Sequence, residues 1–464
     1  MLTAGTDDRQ EESSPRRRRW PAVLGSVLFV VVGTLVQLPR QSGVEMWQTV
    51  WAEDGAEFYE DAVSRPLRET VFDSYAGYAH VVPRALASIG VHLPADKYSE
   101  FVSLSGALAA TLLCLFVYFS SAPLLRSRIK QAILTLALLL WPVLPFEITG
   151  NITNIQWAMP MACLLAILLP VERPGAIAVR VLIVALAPMS SPLCVLFIPI
   201  AVWHVARWLT RRTSSARLVV PGVYVLSSAG QLFIWSISPQ ISVERPSAMS
   251  FAGDVTKLYS TKVSTEFLFG VRVTEDLWGR FGYALAVVAT AAIGGALLWR
   301  FGRATATGRW IIGIFTIASV AIYVSSIWQR AEFLPSMIAV NDGVYAFLGM
   351  RYQLFPAALL LLALLVPVDL ERGAIADPKP RPPRSLRTDL RDHRVALAVA
   401  AIWALVAFVP SYRLDTGRSS GPDWDSGVSV AAQACRVDSV GTQAVAISPA
   451  PAWFVMMPCS ALTD

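Results

Sequence analysis

The sequence is poor in charged residues. Asp, Glu, Lys and Arg make up 16% of its 464 residues, against roughly 25% in soluble globular proteins, while hydrophobic residues make up 55%. This composition excludes a soluble enzyme of about three domains, which the length alone would suggest. The net charge of +6 does not indicate a nucleic-acid partner, because apolar runs fill the chain wherever charges are missing. A polytopic membrane protein fits.

Motifs of soluble enzymes are missing too. The sequence has no phosphate-cradling glycine loop of the P-loop type and no Gly-x-Ser-x-Gly elbow, and its four histidines show no zinc-binding spacing. The chain therefore cannot be an ATP-driven pump by itself. The apolar runs hold almost no charge, since Arg180 and His204 lie near predicted cytoplasmic ends, where they can snorkel. This favours a site at the outer surface over a conduction path.

Eleven apolar runs predict spans across about 30 Å of hydrocarbon. The fifth and sixth are divided only by residues 188–192. A weaker stretch, 81–93, carries Arg84 and His92 and predicts a helix at the membrane interface. The predicted spans are 20–38, 100–119, 131–146, 157–171, 176–189, 192–209, 218–236, 281–299, 310–328, 354–370 and 395–411.

Basic residues predict the orientation, because cationic segments translocate poorly. Arg16 to Arg19 precede the first span, which places the N-terminus in the cytoplasm, and eleven spans then place the C-terminus outside. We therefore expect a multi-pass protein of the plasma (inner) membrane. Its predicted parts are a disordered cytoplasmic tail (1–19), a transmembrane domain (20–411) with outside loops at 39–99 and 237–280 and a basic cytoplasmic loop at 371–394, and an extracytoplasmic C-terminal segment (412–464).

The first outside loop, 39–99, is the most informative. Glu53 and Asp54 are adjacent and are followed by Gly55, which allows a close backbone turn. A carboxylate flanked by aromatic rings can act as a general base, because partial desolvation raises its pKa toward the working pH. An acidic loop could instead simply follow the charge bias of the outer side, so both interpretations stay open.

Two further outside segments combine polar and aromatic residues. In 146–157, side-chain amides could hydrogen-bond sugar hydroxyls while Trp157 stacks on a sugar face, although an interfacial aromatic belt would look the same. In 341–356, Arg351 stands beside Tyr352 at the entrance of the tenth span. A guanidinium there suits a phosphate, and contact with lipid headgroups alone is the alternative.

The five cysteines divide by location. Cys114, Cys163 and Cys194 lie inside predicted spans, where a buried core residue is expected. Cys435 and Cys459 both lie in the C-terminal segment, an oxidising compartment if the topology is right, and we expect a disulfide between them, with two free thiols as the alternative. Closing a loop of about 25 residues would stabilise this segment by roughly 3 kcal/mol in the chain-entropy model.

These features resemble the GT-C superfamily of integral-membrane glycosyltransferases. That superfamily shares a first span leading into a long outside loop with an early acidic pair, and about eleven spans. The following motifs are similar to those of actinobacterial membrane proteins grouped near it: Trp51-x-Glu53-Asp54-Gly55-x-x-Phe58, Tyr78-x-His80-x-x-Pro83-Arg84, Asn154-x-Gln156-Trp157 and Arg351-Tyr352-x-x-x-Pro356.

The resemblance implies an all-α, GT-C-like fold and transfer of a sugar from a polyprenyl-phosphate donor to a glycan or lipid acceptor of the cell envelope. Transfer would occur at the outer face, with inversion. Some members use a divalent metal and others none, so the acidic pair is also a candidate ligand set for Mg²⁺ or Mn²⁺. The implied roles are catalytic base for Asp54, with Glu53 next; donor and phosphate binding for Arg351, Tyr352, His80 and Tyr78; and sugar binding for Asn151, Asn154, Gln156 and Trp157.

Two other classes of function compete with this hypothesis. A transporter or flippase of lipid-linked saccharides predicts facing ionisable or helix-breaking residues at mid-membrane, which are nearly missing. A non-catalytic assembly partner predicts first-loop carboxylates spread over solvent. Many GT-C members also carry a large C-terminal outside domain, whereas only about 50 residues follow the last span here. The enzyme hypothesis requires Asp54, His80, Asn154 and Arg351 to converge.

Overall fold

The apolar runs of the sequence form helices in the computed structural model, which describes residues 20–169, 174–211, 215–239, 246–338, 349–370, 390–391, 393–437 and 440–462. The predicted tail 1–19 and most of the basic loop 371–394 lie outside these ranges. The helices of ten or more residues are Trp20–Gln37, Val81–Gly90, Tyr98–Ser120, Arg128–Leu140, Met159–Leu168, Pro174–Leu186, Ile198–Arg211, Val219–Ile237, Ala248–Leu258, Glu266–Phe281, Tyr283–Arg303, Ala306–Trp328, Leu354–Leu365, Arg394–Trp403 and Trp424–Val437.

Six helical segments in the described part of the chain are long and apolar enough to cross a membrane. Their outward faces carry bare leucine, valine, isoleucine and tryptophan side chains, as expected where lipid replaces water. The chain is therefore an all-α polytopic membrane protein. The six segments are Pro21–Arg40, Ala95–Ser120, Pro192–Thr210, Ser215–Ile237, Tyr283–Arg303 and Ala306–Trp328.

The other five predicted spans correspond to shorter helices of 10 to 13 residues. Even with their adjoining 3₁₀ turns, Thr153–Leu168 and Met350–Leu365 cover only about 24 Å at 1.5 Å per residue, less than the hydrocarbon thickness. Eleven crossings and the sidedness of the two termini therefore stay predictions. The fifth and sixth predicted spans are separate helices, Pro174–Leu186 and Ile198–Arg211, with a 3₁₀ turn between them.

Two of the short helices lie at the centre of the bundle. Met159–Leu168 is buried from Met159 through Ile167, and Leu354–Leu365 from Leu354 through Ala363. A helix that is apolar on every side is expected to be surrounded by other elements, and this burial shows that protein surrounds both. Each follows a 3₁₀ turn, Thr153–Trp157 or Met350–Gln353, so residues of these turns sit at the ends of a rigid core.

The first outside loop folds into short elements. A π-helical turn, Asp54–Tyr59, follows Glu53 and continues into Glu60–Ser64. A two-stranded hairpin then pairs Ser74–Tyr75 with Tyr78–Ala79 through a turn in which Ala76 and Gly77 both have positive φ, as a two-residue hairpin loop requires. The stretch predicted to form an interfacial helix is the helix Val81–Gly90.

The C-terminal segment forms a small unit on this loop. The helix Trp424–Val437 packs on an antiparallel hairpin, Thr442–Ile447 with Trp453–Pro458, and a disulfide joins Cys435 to Cys459. Beyond the first of these strands, the Ser448 amide donates to the Val50 carbonyl at 2.9 Å, and the Ser448 carbonyl accepts from the Ala52 amide at 2.6 Å. A Cβ on Gly55 would lie 2.6 Å from Val455, so only glycine allows this approach.

Arg418 fastens the C-terminal segment to the outer loops. Its side chain is fully buried and donates to the carbonyls of Met46 (3.1 Å), Thr49 (3.2 Å), Thr149 (3.2 Å) and Gly150 (3.1 Å), as well as to the Thr49 hydroxyl. One guanidinium therefore joins three stretches of chain that are far apart in sequence.

Replacing Arg418 with Gln should destabilise the protein strongly, because several buried carbonyls would lose their donor at a cost of about 1–3 kcal/mol each. We expect the apparent melting temperature of the detergent-solubilised protein to fall by several degrees. Arg272→Gln is the matched control, since the Arg272 side chain is 54% exposed and pairs with Glu275 at the surface, where such pairs contribute little. Equal melting temperatures for the two variants would contradict this role.

Candidate functional site

Asp54 is a fully buried hydrogen-bond acceptor. One carboxylate oxygen accepts the Ile152 amide at 2.9 Å, and the other accepts the Thr153 amide at 2.8 Å and the Thr153 hydroxyl. Its exposed fraction is 0%, and its backbone carbonyl accepts the Tyr98 hydroxyl at 2.8 Å. Burial raises the pKa of Asp54 to about 6, against the lowering effect of these hydrogen bonds. Both oxygens are thus engaged in holding the 152–153 backbone.

Glu53 is less buried than its neighbour and less completely hydrogen-bonded. It is half-buried, and within the described part of the chain its Oε2 atom has no hydrogen-bond partner. Burial raises the pKa of Glu53, the positive charge of Arg351 lowers it, and the negative charge of Glu147 raises it again. Glu53 is therefore an incompletely satisfied carboxylate in the field of one cation and one anion.

Arg351 is the cation at the centre of the site. It lies in the 3₁₀ turn Met350–Gln353, which Gly349 precedes with a φ of 77°. The Nε atom lies 3.5 Å from Glu147 Oε2, and the guanidinium carbon lies 5.3 Å from the ring centre of Tyr352. Although burial lowers it, the carboxylates of Glu147 and Glu53 hold the pKa of Arg351 above its ordinary value.

The asparagines predicted to bind sugar are occupied within the fold. Asn151 Nδ2 and Asn154 Nδ2 both donate to the Glu147 carbonyl, at 2.7 and 2.6 Å, and both residues are buried. Asn154 Oδ1 accepts the Trp157 indole N–H at 3.0 Å, and the Trp157 ring stands edge-on to Tyr352 with centroids 5.2 Å apart. The asparagines therefore set the position of Glu147 and of the Trp157 ring.

The first-loop hairpin supplies a second aromatic side. Tyr78 donates to Gln156 Oε1 at 2.9 Å, and its ring stacks on His80 with centroids 4.2 Å apart. His80 is fully buried, and burial lowers its pKa to about 3, so its ring is neutral. Since a carbonyl can only accept, Nδ1 carries the proton that meets the Tyr78 carbonyl at 3.1 Å. His80 consequently offers no charge to a phosphate.

The ten residues chosen from the sequence as catalytic, donor-binding or sugar-binding belong to one connected network. Arg351, Tyr352, Trp157, Asn154 and Asn151 are linked through Glu147, and Gln156 links Tyr78 and His80 to the same turn. Asp54 joins the network through the backbone amides of Ile152 and Thr153. Glu53 joins it through the charges of Arg351 and Glu147, which shift its pKa. A non-catalytic assembly partner would have first-loop carboxylates spread over solvent. Asp54 is instead fully buried and Glu53 is half-buried.

Sequence reasoning missed several members of the site. One of them is Glu147, which is one of few acidic residues at the end of a predicted span.

A buried group of polar side chains adjoins the turn that carries Arg351. In it, Lys262 Nζ lies 3.8 Å from Glu266 Oε1, and Gln353 donates to Glu266 at 2.5 Å. Burial lowers the pKa of Lys262 to about 8, although Glu266 and Glu147 raise it. The four-residue spacing of Lys262 and Glu266 is typical of a helical ion pair.

No cation site emerges among the residues that the structure describes, since no three His, Cys, Asp or Glu side chains come together. Of the proposed acidic ligand pair, Asp54 has both oxygens engaged in hydrogen bonds, and binding of Mg²⁺ or Mn²⁺ stays a prediction. Residues 341–348 of the segment considered with Arg351 lie outside the described ranges.

Comparison with known proteins adds no relative to this description. No family model matches the chain, and neither does any curated protein. The likeness to GT-C enzymes therefore rests on the sequence motifs, and function has to be argued from the geometry.

The two adjacent acids should respond differently to neutral substitution. Asp54→Asn places an amino group against backbone N–H donors and should cost about 1–3 kcal/mol, seen as a lower apparent melting temperature and faster proteolysis near residues 149–154. Glu53→Gln loses no hydrogen bond of its Oε2 atom and should melt close to wild type. Similar losses of stability in both variants would show that Asp54 is not the anchor of this loop.

Proposed function

We propose that the protein is a GT-C-type membrane glycosyltransferase that transfers a sugar from a polyprenyl-phosphate donor to a glycan or lipid acceptor of the cell envelope at the outer face. One observation carries the proposal. The incompletely satisfied carboxylate of Glu53 lies in the field of Arg351, whose guanidinium carbon is 5.3 Å from the ring centre of Tyr352, and Trp157 stands edge-on to that ring. A base, a phosphate-binding cation and sugar-stacking rings thus share one place.

Glu53 is the general base of the proposed reaction, in place of Asp54. A base must have an oxygen free to accept the acceptor's hydroxyl proton. Both oxygens of Asp54 accept hydrogen bonds, whereas Glu53 Oε2 has no hydrogen-bond partner among the described residues. Desolvation of Glu53 raises its pKa toward neutrality, which strengthens it as a base. Asp54 acts as a positioning residue through the 152–153 backbone.

The proposed step is a single inverting displacement. The acceptor hydroxyl gives its proton to Glu53 as its oxygen bonds to the anomeric carbon of the donor sugar. The bond from that carbon to the phosphate oxygen breaks, and its electron pair stays on the polyprenyl phosphate. Arg351 stabilises the charge that grows there, because a fixed guanidinium can donate several hydrogen bonds to phosphate oxygens.

Aromatic rings suit the sugar of such a donor. The faces of sugar rings present C–H groups that pack on flat side chains, and Trp157 is held in place by its bond to Asn154. Gln156, fixed by Tyr78, has an amide suited to a sugar hydroxyl. These contacts favour a glycosyl donor over a simple phosphate ester.

Glu53→Gln should reduce sugar transfer by about 10²-fold or more, in line with the usual contribution of a general base. Transfer is measured in proteoliposomes with a radiolabelled polyprenyl-phosphate sugar and envelope acceptor, and insertion is checked by the melting temperature. Glu45→Gln is the matched control, because Glu45 is an outer carboxylate paired with Arg413. Undiminished transfer by Glu53→Gln would remove the base assignment, and movement of labelled lipid across the membrane without transfer would favour a flippase.

The acidic side of the pH profile should report Glu53. Only its carboxylate form accepts a proton, so kcat/KM should fall as pH drops through a pKa that burial raises above 4.5. Asp54 titrates at about 6, and melting temperatures taken at each pH separate loss of the base from loss of the fold. A profile that stays flat down to pH 4.5 would be incompatible with this assignment.

A further inference from the structure

Glu147 is the counter-ion of Arg351. Its Oε2 atom lies 3.5 Å from Arg351 Nε and has no hydrogen-bond partner among the described residues. The pair is therefore a Coulombic contact and lacks the two parallel hydrogen bonds of the strongest arginine–carboxylate pairs. Among the residues that the structure describes, the hydrogen-bond partner of Arg351 Nη2 is the Tyr352 hydroxyl, at 3.5 Å. A phosphate could bind the guanidinium better than Glu147 does.

The backbone carbonyl of Glu147, and not the Oε2 atom of its side chain, makes the hydrogen bonds that hold this loop. The Glu147 carbonyl accepts the side-chain amides of Asn151 and Asn154, so the loop is fixed by the main chain. The carboxylate is mostly covered, with 13% of the side chain exposed, and Arg351 has 26% exposed. The charge of Glu147 thus acts on the site, where its partners are Arg351 and, at longer range, Glu53 and Lys262.

We propose, on the basis of the function proposed above, that Glu147 takes the place of the donor phosphate while the site is empty and selects against the phosphate monoester product. It neutralises Arg351 until the donor's phosphate displaces it. The donor is a phosphodiester with one negative charge, whereas the leaving polyprenyl phosphate is a monoester with about two. The retained charge of Glu147 therefore repels the product more than the donor and speeds its release.

The size of the effect follows from the charges. Two like charges a few ångströms apart near a protein surface repel each other, and partial exposure to water weakens this repulsion. A loss of repulsion worth about 1.4 kcal/mol is a factor of ten in affinity. Because the monoester carries twice the charge of the diester, removing the Glu147 charge should favour monoester binding about tenfold and diester binding by clearly less.

Calorimetric titration of the full-length protein in nanodiscs at pH 8 tests this, with farnesyl monophosphate as the monoester probe and methyl farnesyl phosphate as the diester probe. Glu147→Gln should bind the monoester about tenfold more tightly and raise the monoester-to-diester affinity ratio severalfold. Glu147→Asp keeps the charge and should behave as wild type, and Glu45→Gln controls for loss of an outer carboxylate elsewhere. High salt should shrink the difference between Glu147→Gln and wild type.

Unchanged or weaker monoester binding by Glu147→Gln would overturn the proposal, and so would equal tightening by Glu147→Asp, which would indicate a change of shape and not of charge. Arg351→Gln separates this outcome from failure of the proposed function. If Arg351→Gln weakens both probes while Glu147→Gln leaves the ratio unchanged, the phosphate site stands and only the role of Glu147 fails. If Arg351→Gln changes neither probe, the phosphate site itself is wrong.

Discussion

The buried carboxylate of Asp54 makes the interactions on which the candidate site depends. Burying a charge is costly unless hydrogen bonds replace those of water, and here the backbone of residues 152 and 153 supplies them. The first outside loop is thereby fixed to the turn that leads into the helix Met159–Leu168. Glu53, one residue earlier, is thereby held in position, while its Oε2 atom has no hydrogen-bond partner among the described residues.

Arg418 completes this arrangement from the other end of the chain. Its charge lies near that of Asp54, which raises the pKa of Arg418 against the lowering effect of burial, and its donors satisfy carbonyls on both outer segments. The C-terminal segment is therefore part of the structure that positions the site. Its hairpin approaches Gly55 so closely that a side chain at this position would collide with Val455. Close packing therefore explains why a glycine follows the acidic pair.

Much of the fold could be predicted from the sequence, because apolar runs report burial in lipid or protein directly. The runs could not reveal which helices are short and surrounded by protein, since Met159–Leu168 and Leu354–Leu365 are as apolar as any lipid-facing helix. Their neighbours decide that, and neighbours are set by tertiary packing. The disulfide between Cys435 and Cys459 could be predicted because both cysteines lie in the C-terminal segment.

The candidate site was predictable as a set of segments but not atom by atom. Aromatic and polar residues in three outer segments do meet, yet choosing between Glu53 and Asp54 depends on a rotation of one residue along a helical turn, which composition does not encode. Arg418 and Glu147 escaped notice for a related reason. Each acts through partners that are more than a hundred residues away, and a single sequence carries no signal of such contacts.

Under the proposed roles, the charges of the site make the basicity of Glu53 depend on whether a donor phosphate is bound to Arg351. Burial raises the pKa of Glu53 and the positive charge of Arg351 lowers it, which weakens the base. A donor phosphate that pairs with Arg351 would cancel this effect, so that the pKa of Glu53 would rise and the carboxylate would become more basic when a donor is present. Deprotonation of an acceptor would then be favoured chiefly beside a bound donor, and water entering an empty site would meet the weaker base.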